Sequence, residues 1–338
     1  MNNNKSNITI ADEFVLKIAR QSKRDRIINW IPFFVLVVMC IILSIASPGS
    51  FATWDNVQSI LNQMAIPLLI ALGLTFVIII GSIDLSIDGV VGMSGSIVSV
   101  LVFNSVNGNN MLLGGILISV ASCVLSGALV GIIHVKGRIP SFMVSFGMAY
   151  IAMGIGIMAY GGFPATILDP ILVSIPNAKF LHVPMITWVA LAMLAFCYFL
   201  QEYTAFGRHI YAVGSDESIP RAAGINVDLV KIKVFTFAGL CFGIAGVLGA
   251  IRLGQGQIGI GKGTMFPAQA AVVVGGTSLS GGKGGVINTL IGTMIMTVLE
   301  NGLILLGVNS YIKTGVQGLI ILIAVAITIN RSKQNICK

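Results

Sequence analysis

Two aspartates four positions apart are the most polar feature of the apolar part of the sequence. Asp84 and Asp88 lie in residues 81–89, between two long apolar runs. A carboxylate at membrane depth is costly and usually marks a solute pathway or a helix end, and either residue could instead cap the helix that follows. An intramembrane aspartyl protease places its two carboxylates on separate facing helices, so this spacing disfavours proteolysis.

A third carboxylate lies inside a later apolar run. Glu300 is followed by Asn301, and an ionisable residue at such a position should face the interior of a helix bundle or a water-filled cavity. We expect it either to pair with a neighbouring helix or to line a pathway, and no basic partner for it stands out in the sequence. The three histidines are scattered and predict no metal site: His134, His182 and His209.

Two glycine-rich segments imitate nucleotide-binding motifs. Gly256, Gly261 and Lys262 have the spacing of the start of a phosphate-binding loop, but Gly263 stands where Ser or Thr would hold magnesium. Residues 279–283 echo the signature peptide of ABC ATPases, yet they lie between two apolar runs. The sequence therefore predicts no ATP site in this chain.

The composition is that of a membrane protein. Hydrophobic residues make up 56% of the 338 residues and charged residues only 9%, whereas soluble domains have roughly 25% charged residues. This excludes a large soluble catalytic domain, and it excludes disorder as well. Of the five cysteines four lie in apolar runs, where they act as small hydrophobic residues, so no disulfide framework is expected.

The apolar runs predict one all-α polytopic membrane domain, residues 30–330, between an N-terminal tail (1–29) and a C-terminal tail (331–338). No cleavage site for a signal peptide follows the first run. A span needs about 20 residues, and the eighth run is short and rich in glycine. About ten transmembrane helices are predicted, at 30–46, 64–80, 89–103, 111–133, 142–160, 181–200, 234–251, 265–276, 286–306 and 316–329.

The distribution of basic residues predicts the orientation. In the ten-span arrangement 16 of the 20 Lys and Arg residues fall on the side of both termini. The positive-inside rule then places both termini in the cytoplasm. It also accounts for the net charge of +8 without nucleic acid as a partner.

The longest predicted cytoplasmic loop, residues 201–233, is the internal connection with a mixed set of charges. Ser215 could cap a short helix that Gly224 ends. Asp216 and Glu217 would then lie at the positive end of the helix dipole. The alternative is a solvated connector.

Several short motifs occur in a fixed order: GSIDLS at 81–86, IPSF at 139–142, TAFGR at 204–208, AVG at 212–214, GINV at 224–227, AVVVGGTSLSGG at 271–282, NGL at 301–303 and LGVN at 306–309. As a set, from about Trp54 onward, they resemble the permeases of ABC importers for monosaccharides of the ribose, xylose and galactose type.

This resemblance implies a type II ABC importer-like bundle in the bacterial inner membrane, without a catalytic residue, metal or cofactor of its own. It also implies three protein partners. These are a cytoplasmic ABC ATPase that binds ATP and magnesium, an extracytoplasmic sugar-binding protein, and a second permease subunit, either identical or homologous.

The resemblance further implies that residues 215–224 form a coupling helix that docks in a cleft of the ATPase. The chain departs from the family pattern there, because Ile219-Pro220-Arg221 stands where relatives have Ala-Ala-Arg, and the proline should change how that helix bends. The residues expected to couple the chain to the ATPase are Ser215, Asp216, Glu217, Pro220, Arg221, Gly224 and Ile225.

A pathway for a neutral polyol should be lined by small polar and aromatic side chains. The candidates are Asp84, Ser86, Asp88, Ser94, Ser141, Phe142, Ser145, Asn288, Glu300 and Asn301. The sequence does not name the sugar. Alternative functions are an ABC permease for a sugar-like signal, a nucleoside or a branched-chain amino acid, and an ion-coupled carrier or channel.

Overall fold

The structure is a computed structural model that describes residues 30–309, 311–313, 315–319 and 322. It is mostly helical, and 311–313 and 315–319 are also helical. The helices are α1 (Trp30–Ala46), α2 (Trp54–Ile79), α3 (Ile87–Leu101), α4 (Leu112–Gly137), α5 (Ser141–Tyr160), α6 (Pro170–Ser174), α7 (Met185–Tyr203), α8 (Ala205–Ser215), α9 (Ser218–Ala222), α10 (Val227–Leu253), α11 (Met265–Val274) and α12 (Val286–Leu305).

Six of these helices are long and apolar enough to cross a membrane: α2, α4, α5, α7, α10 and α12. Two shorter apolar helices, α1 and α3, match the first and third predicted spans. The tenth predicted span, 316–329, falls mostly outside the described residues, as do both predicted tails. The count of ten spans therefore stays a prediction.

Helices α2 and α10 form the centre of the bundle. In each, 78% of the most apolar 18-residue window is buried, against 33% for α4 and 28% for α5. The outer helices therefore turn much of their apolar surface outward, as a lipid environment requires.

Glycines allow α4 and α10 to approach closely. A Cβ atom at Gly127 would overlap the carbonyl oxygen of Phe235, and one at Gly239 would overlap the carbonyl oxygen of Cys123. Small residues at such crossings let helix backbones touch in a membrane. The two helices are thus held by backbone contact.

The eighth predicted span, 265–276, is present as helix α11 (Met265–Val274), but an irregular segment precedes it. After α10 the chain runs alongside α3 as an irregular segment, with Gly256 against Ser99 and Gly261 against Asp88. A 3-10 turn at Ile258–Ile260 interrupts it, and only then does α11 begin. Irregular backbone at membrane depth is tolerated where protein surrounds it, and Gly256 and Gly261 permit the close approach of this segment to α3.

Small β-structures add to the helical bundle. Strand β1 (Ala165–Thr166) pairs antiparallel with β4 (Gln255–Gly256), and β2 (Lys179–Phe180) pairs with β3 (Val183–Pro184). The β1–β4 pair joins the connection after α5 to the end of α10. The connections 161–184 and 254–256 therefore meet at one end of the bundle.

The loop 201–233 contains the short helix expected between Ser215 and Gly224, as α9, and a second helix, α8, that was not predicted; only the cap assigned to Ser215 was wrong. Ser215 is the last residue of α8 and caps no helix. The Thr204 hydroxyl caps α8 by accepting the backbone N–H of Gly207. Helix α9 is only five residues long, because Asp216 adopts an extended conformation between the two helices.

Candidate transport and coupling sites

Asp84 is buried in the linker between α2 and α3, where it orders the backbone. Its Oδ1 accepts hydrogen bonds from the backbone N–H of Ser86 at 2.8 Å and from the Ser86 hydroxyl at 2.6 Å. The linker is also fixed to α5, since Ser141 accepts the N–H of Ile83 at 3.1 Å and Ser145 accepts that of Leu85 at 2.9 Å. The structure thus brings four of the pathway candidates together.

Asp88 caps a helix, but not the one that follows it in the chain. Its carboxylate accepts the backbone N–H groups of Gly263 at 2.9 Å, Thr264 at 3.2 Å and Met265 at 2.9 Å, at the start of α11. The N-cap of α3 is Ser86, whose side chain makes no capping bond. The expectation that either aspartate caps the following helix is therefore corrected. A negative charge at this position is favourable, because unpaired N–H groups make a helix N-terminus positive.

Ser94 connects three helices. Its hydroxyl donates to the carbonyl oxygen of Gly243 on α10 at 2.7 Å and lies 2.9 Å from the Ser119 hydroxyl on α4. Both serines are fully buried. In contrast, Phe142 is 43% exposed on α5. The pathway candidates Ser94 and Phe142 therefore lie in different environments.

A threonine pair, missed by the sequence analysis, joins α2 to α12. The hydroxyl oxygens of Thr75 and Thr289 are 2.5 Å apart, and both side chains are fully buried. Nearby, Asn288 donates its side-chain N–H to the carbonyl oxygen of Gly275 at 3.1 Å, which connects α12 to the end of α11. The 214 positions between the two threonines explain why no local pattern indicates their contact.

Glu300 has a basic partner that the sequence did not reveal. Lys313 donates to the Glu300 carboxylate at 2.7 Å. Asn301 is buried and its side-chain oxygen lacks a hydrogen-bond partner, as does that of Asn62 on α2; these are two of the three such buried atoms in the described part of the chain. Arg252, at the end of α10, donates to the carbonyl oxygen of Asn62 at 3.4 Å.

The α9 turn is closed by ion pairs with the start of α10. Arg221 contacts Asp228 at 3.0 Å and Glu217 at 4.0 Å, and Lys231 contacts Glu217 at 2.5 Å. These residues lie within 15 positions of one another, so the pairs tie one short segment into a compact unit.

Asp216 and Pro220 shape the same turn. The Asp216 carboxylate accepts the N–H and hydroxyl of Ser218, and these bonds hold the pKa of Asp216 below its usual value. Pro220 is buried, and its carbonyl oxygen accepts the N–H of Ile225 at 2.9 Å. Gly224 has a φ of +79°, which favours glycine.

Helix α8 connects this turn to the bundle. Phe206 stacks on Phe76 of α2, with ring centroids 6.3 Å apart. The Tyr211 hydroxyl donates to the carbonyl oxygen of Gly284 at 2.7 Å. Burial, with the negative charge of Glu202, raises the pKa of Tyr211 to about 12, so this hydroxyl stays a donor at neutral pH.

The glycine-rich loop after α11 fills the space between α8 and α2. Gly282 donates its backbone N–H to the carbonyl oxygen of Ile79 at 2.8 Å, and it packs against Ser215. Gly214 lies so close to the Ile79 carbonyl oxygen that a Cβ atom would overlap it. At the far end of the loop, Gln201 accepts the N–H of Val286 at 2.7 Å. Residues 279–283, which echo the signature peptide of ABC ATPases, thus belong to a loop that packs between α8 and α2.

No group of three or more His, Cys, Asp and Glu residues that could hold a metal ion occurs among the residues that the structure describes.

Comparisons with known proteins place these sites in a wider context. The family described as "Branched-chain amino acid transport system / permease component" matches residues 56–325. The ribose import permease protein RbsC of Escherichia coli (strain K12) is 35% identical over 296 residues, which cover 86% of this chain and 91% of the relative. RbsC of Bacillus subtilis (strain 168) is 36% identical, covering 89% and 92%. The D-allose transport system permease protein AlsC of Escherichia coli (strain K12) is 31% identical, covering 87% and 90%. No solved structure matches the chain.

Proposed function

Because the chain belongs to the family of transport-system permease components, we propose that it is the membrane-spanning subunit of an ABC importer for a monosaccharide. The observation that carries this proposal is the continuous contact from α9 through α8 to the end of α2 and to the loop before α12. A subunit without its own energy source needs such a rigid connection between a docking surface and the pathway. The names of the relatives, ribose and allose permeases, support a sugar as the solute.

The proposal includes the membrane arrangement and the partners. The chain has ten spans with both termini in the cytoplasm of a bacterial cell. A cytoplasmic ATPase docks on α9, and a sugar-binding protein delivers its ligand on the opposite side. A second permease subunit completes the pathway, and the magnesium and ATP belong to the ATPase.

The coupling mechanism follows from the contacts of α8. When ATP closes the ATPase pair, the ion-paired α9 turn moves with its docking cleft. Since α8 packs against Phe76 and Ile79 of α2 and bonds to Gly284, it carries this motion to α2 and to the loop before α12. Rigid-body rocking of this kind is a common form of alternating access.

The pathway we propose passes near α2 and α12. The unpartnered amide oxygens of Asn62 and Asn301 are acceptors, and sugar hydroxyls are donors. A buried polar atom without a partner costs about 1–3 kcal/mol, so a transient hydroxyl or water at these atoms is favourable. Glu300 lies next to Asn301 and adds a further acceptor. Asp84 and Asp88 then act by fixing the backbone of α3 and α11.

The decisive experiment reconstitutes the purified chain in liposomes. Uptake of labelled ribose is measured with and without ATP, and with and without a cytoplasmic ABC ATPase and a sugar-binding protein. We expect uptake only when all components and ATP are present. Accumulation by the chain alone under an ion gradient would identify a secondary carrier and overturn the proposal.

The same liposomes identify the solute class. Unlabelled ribose, allose, galactose, a nucleoside and leucine are added in excess, one at a time. Competition by a monosaccharide supports a sugar permease. Competition by leucine or the nucleoside alone would support an ABC permease for that solute instead.

A further inference from the structure

A basic cavity of about 450 Å³ lies between the end of α4 and the start of α10. The charged residues that line it are Arg138, Arg221, Lys231 and Asp228. Three cations thus face one carboxylate. The volume is in the range of small-ligand sites, roughly 300–1,000 Å³, which is more than a single acidic side chain of a protein partner fills.

The charges of the cavity are only partly neutralised within the chain. Arg221 pairs with Asp228, and Lys231 pairs with Glu217. Arg138 differs, because its guanidinium has no ion pair or hydrogen bond in the part of the chain that the structure describes. The cavity therefore retains an uncompensated positive charge.

The wall that carries Arg138 is rigid. Arg138 ends α4 in the left-handed conformation, with a φ of +53°. Five residues after His134, the carbonyl oxygen of Ile139 lies 2.6 Å from Nδ1 of that histidine. Since a carbonyl only accepts, Nδ1 is the donor, and this bond closes the turn between α4 and α5. The Arg138 side chain is thus presented from a turn with a fixed conformation.

We propose that this cavity binds a phosphate-bearing anion, either the head group of an acidic phospholipid or a soluble phosphate. A guanidinium offers a planar fork of donors that matches phosphate oxygens. Basic pockets between transmembrane helices on the cytoplasmic side bind acidic head groups, and the orientation proposed above places the cavity on that side. The ligand would bridge α4 and the α9 turn through Arg138 and Arg221.

The test is a binding experiment that needs neither ATPase nor sugar, so its result is independent of the transport proposal. The full chain is purified in nanodiscs of phosphatidylcholine. Binding of phosphatidylglycerol is measured by native mass spectrometry after release into detergent, and binding of labelled inorganic phosphate by equilibrium dialysis. The variants are Arg138→Gln, Arg138→Lys as the charge-preserving change, and Lys136→Gln as the matched control. Lys136 is exposed at the same end of α4 but is not part of the cavity wall.

We expect Arg138→Gln to weaken binding of the anion about fivefold, the effect of one cation near a membrane surface. Arg138→Lys and Lys136→Gln should bind within twofold of the unchanged chain. Binding of phosphatidylglycerol alone identifies the lipid as the source, and competing binding of inorganic phosphate identifies the soluble anion. Equal binding by Arg138→Gln and the unchanged chain would overturn the proposal.

Discussion

The Asp88 carboxylate accepts the backbone N–H of Met265 at 2.9 Å, although 177 positions separate the two residues in the chain. Asp88 lies in the first turn of α3, and Met265 is the first residue of α11. One side chain thus fixes the point at which the irregular segment alongside α3 becomes helical again. The start of α11, which is the eighth predicted span, depends on this contact for its geometry.

Replacing Asp88 by Ala should therefore destabilise α11. An N-cap replaced by Ala costs about 0.5–2 kcal/mol, and Asp88 accepts three backbone N–H groups. Asp88→Asn keeps an acceptor oxygen and should lose less than half as much. Thermal unfolding of the purified protein in detergent measures both. Asp55→Ala is the control, since this exposed aspartate lies in the first turn of α2, and equal unfolding temperatures for Asp88→Ala and Asp55→Ala would contradict the capping role.

Gly214→Ala should separate α8 from α2 and weaken ATP-driven uptake. A Cβ atom at this position would overlap the backbone carbonyl of Ile79. Because a backbone carbonyl cannot rotate away as a side chain can, α8 and α2 must move apart to accommodate the methyl group. We expect uptake to fall at least tenfold while ATP hydrolysis by the partner continues. Reconstituted uptake and hydrolysis are measured on the same liposomes.

Gly147→Ala is the matched control for that variant. Gly147 lies within α5, and a Cβ atom there meets no atom within 4 Å. Its uptake should stay within twofold of the unchanged chain. If Gly214→Ala transports as well as Gly147→Ala, then α8 does not carry the motion of α9.

Whether the sequence could predict a feature depends on how far apart along the chain its contacting residues lie. Apolar runs indicated the long helices, because twenty apolar residues specify a span by themselves. Polar first turns hid the true start of α2, where Thr53 caps the helix and Asp55 follows. Asp84, Ser141 and Ser145 were all selected as candidates, but their meeting at one linker required the fold.

The residues expected to couple the chain to an ATPase, within 215–225, also show that contacts between distant or irregular segments are hard to predict from sequence. The resemblance to monosaccharide permeases singled out Arg221 and Gly224 and implied the helix within 215–224 that is present as α9, but the preceding helix α8 was not predicted. Helix α9 is too short for a periodic pattern, and its ion pairs with α10 depend on the intervening turn. Lys313 escaped notice as a partner of Glu300, because it lies beyond the end of α12.

Arg221→Glu should weaken stimulation of the partner ATPase. The substitution places a third acid beside Asp228 and Glu217, so the two ion pairs that Arg221 makes in the α9 turn are replaced by repulsion. Arg221→Lys keeps the charge and should retain most of the stimulation. Lys136→Glu reverses an exposed charge on α4 and serves as the control. ATP hydrolysis is measured with purified components in liposomes, and unchanged stimulation in Arg221→Glu would remove the α9 turn from the mechanism.

Glu300 and Lys313 should be energetically coupled. Their contact is 2.7 Å long, and the side chains are 40% and 20% exposed; a partly exposed pair is worth about 1 kcal/mol or less. Glu300→Gln keeps an acceptor for Lys313 and should be tolerated, whereas Glu300→Leu should lower both the unfolding temperature and sugar uptake. Adding Lys313→Met to Glu300→Leu should restore part of the stability, because it removes the cation left without a partner. A double-mutant cycle of unfolding free energies measures the coupling, and additive effects of the two changes would show that the pair contributes nothing to the fold. Equal uptake by Glu300→Gln and Glu300→Leu would show that this carboxylate does not line the pathway.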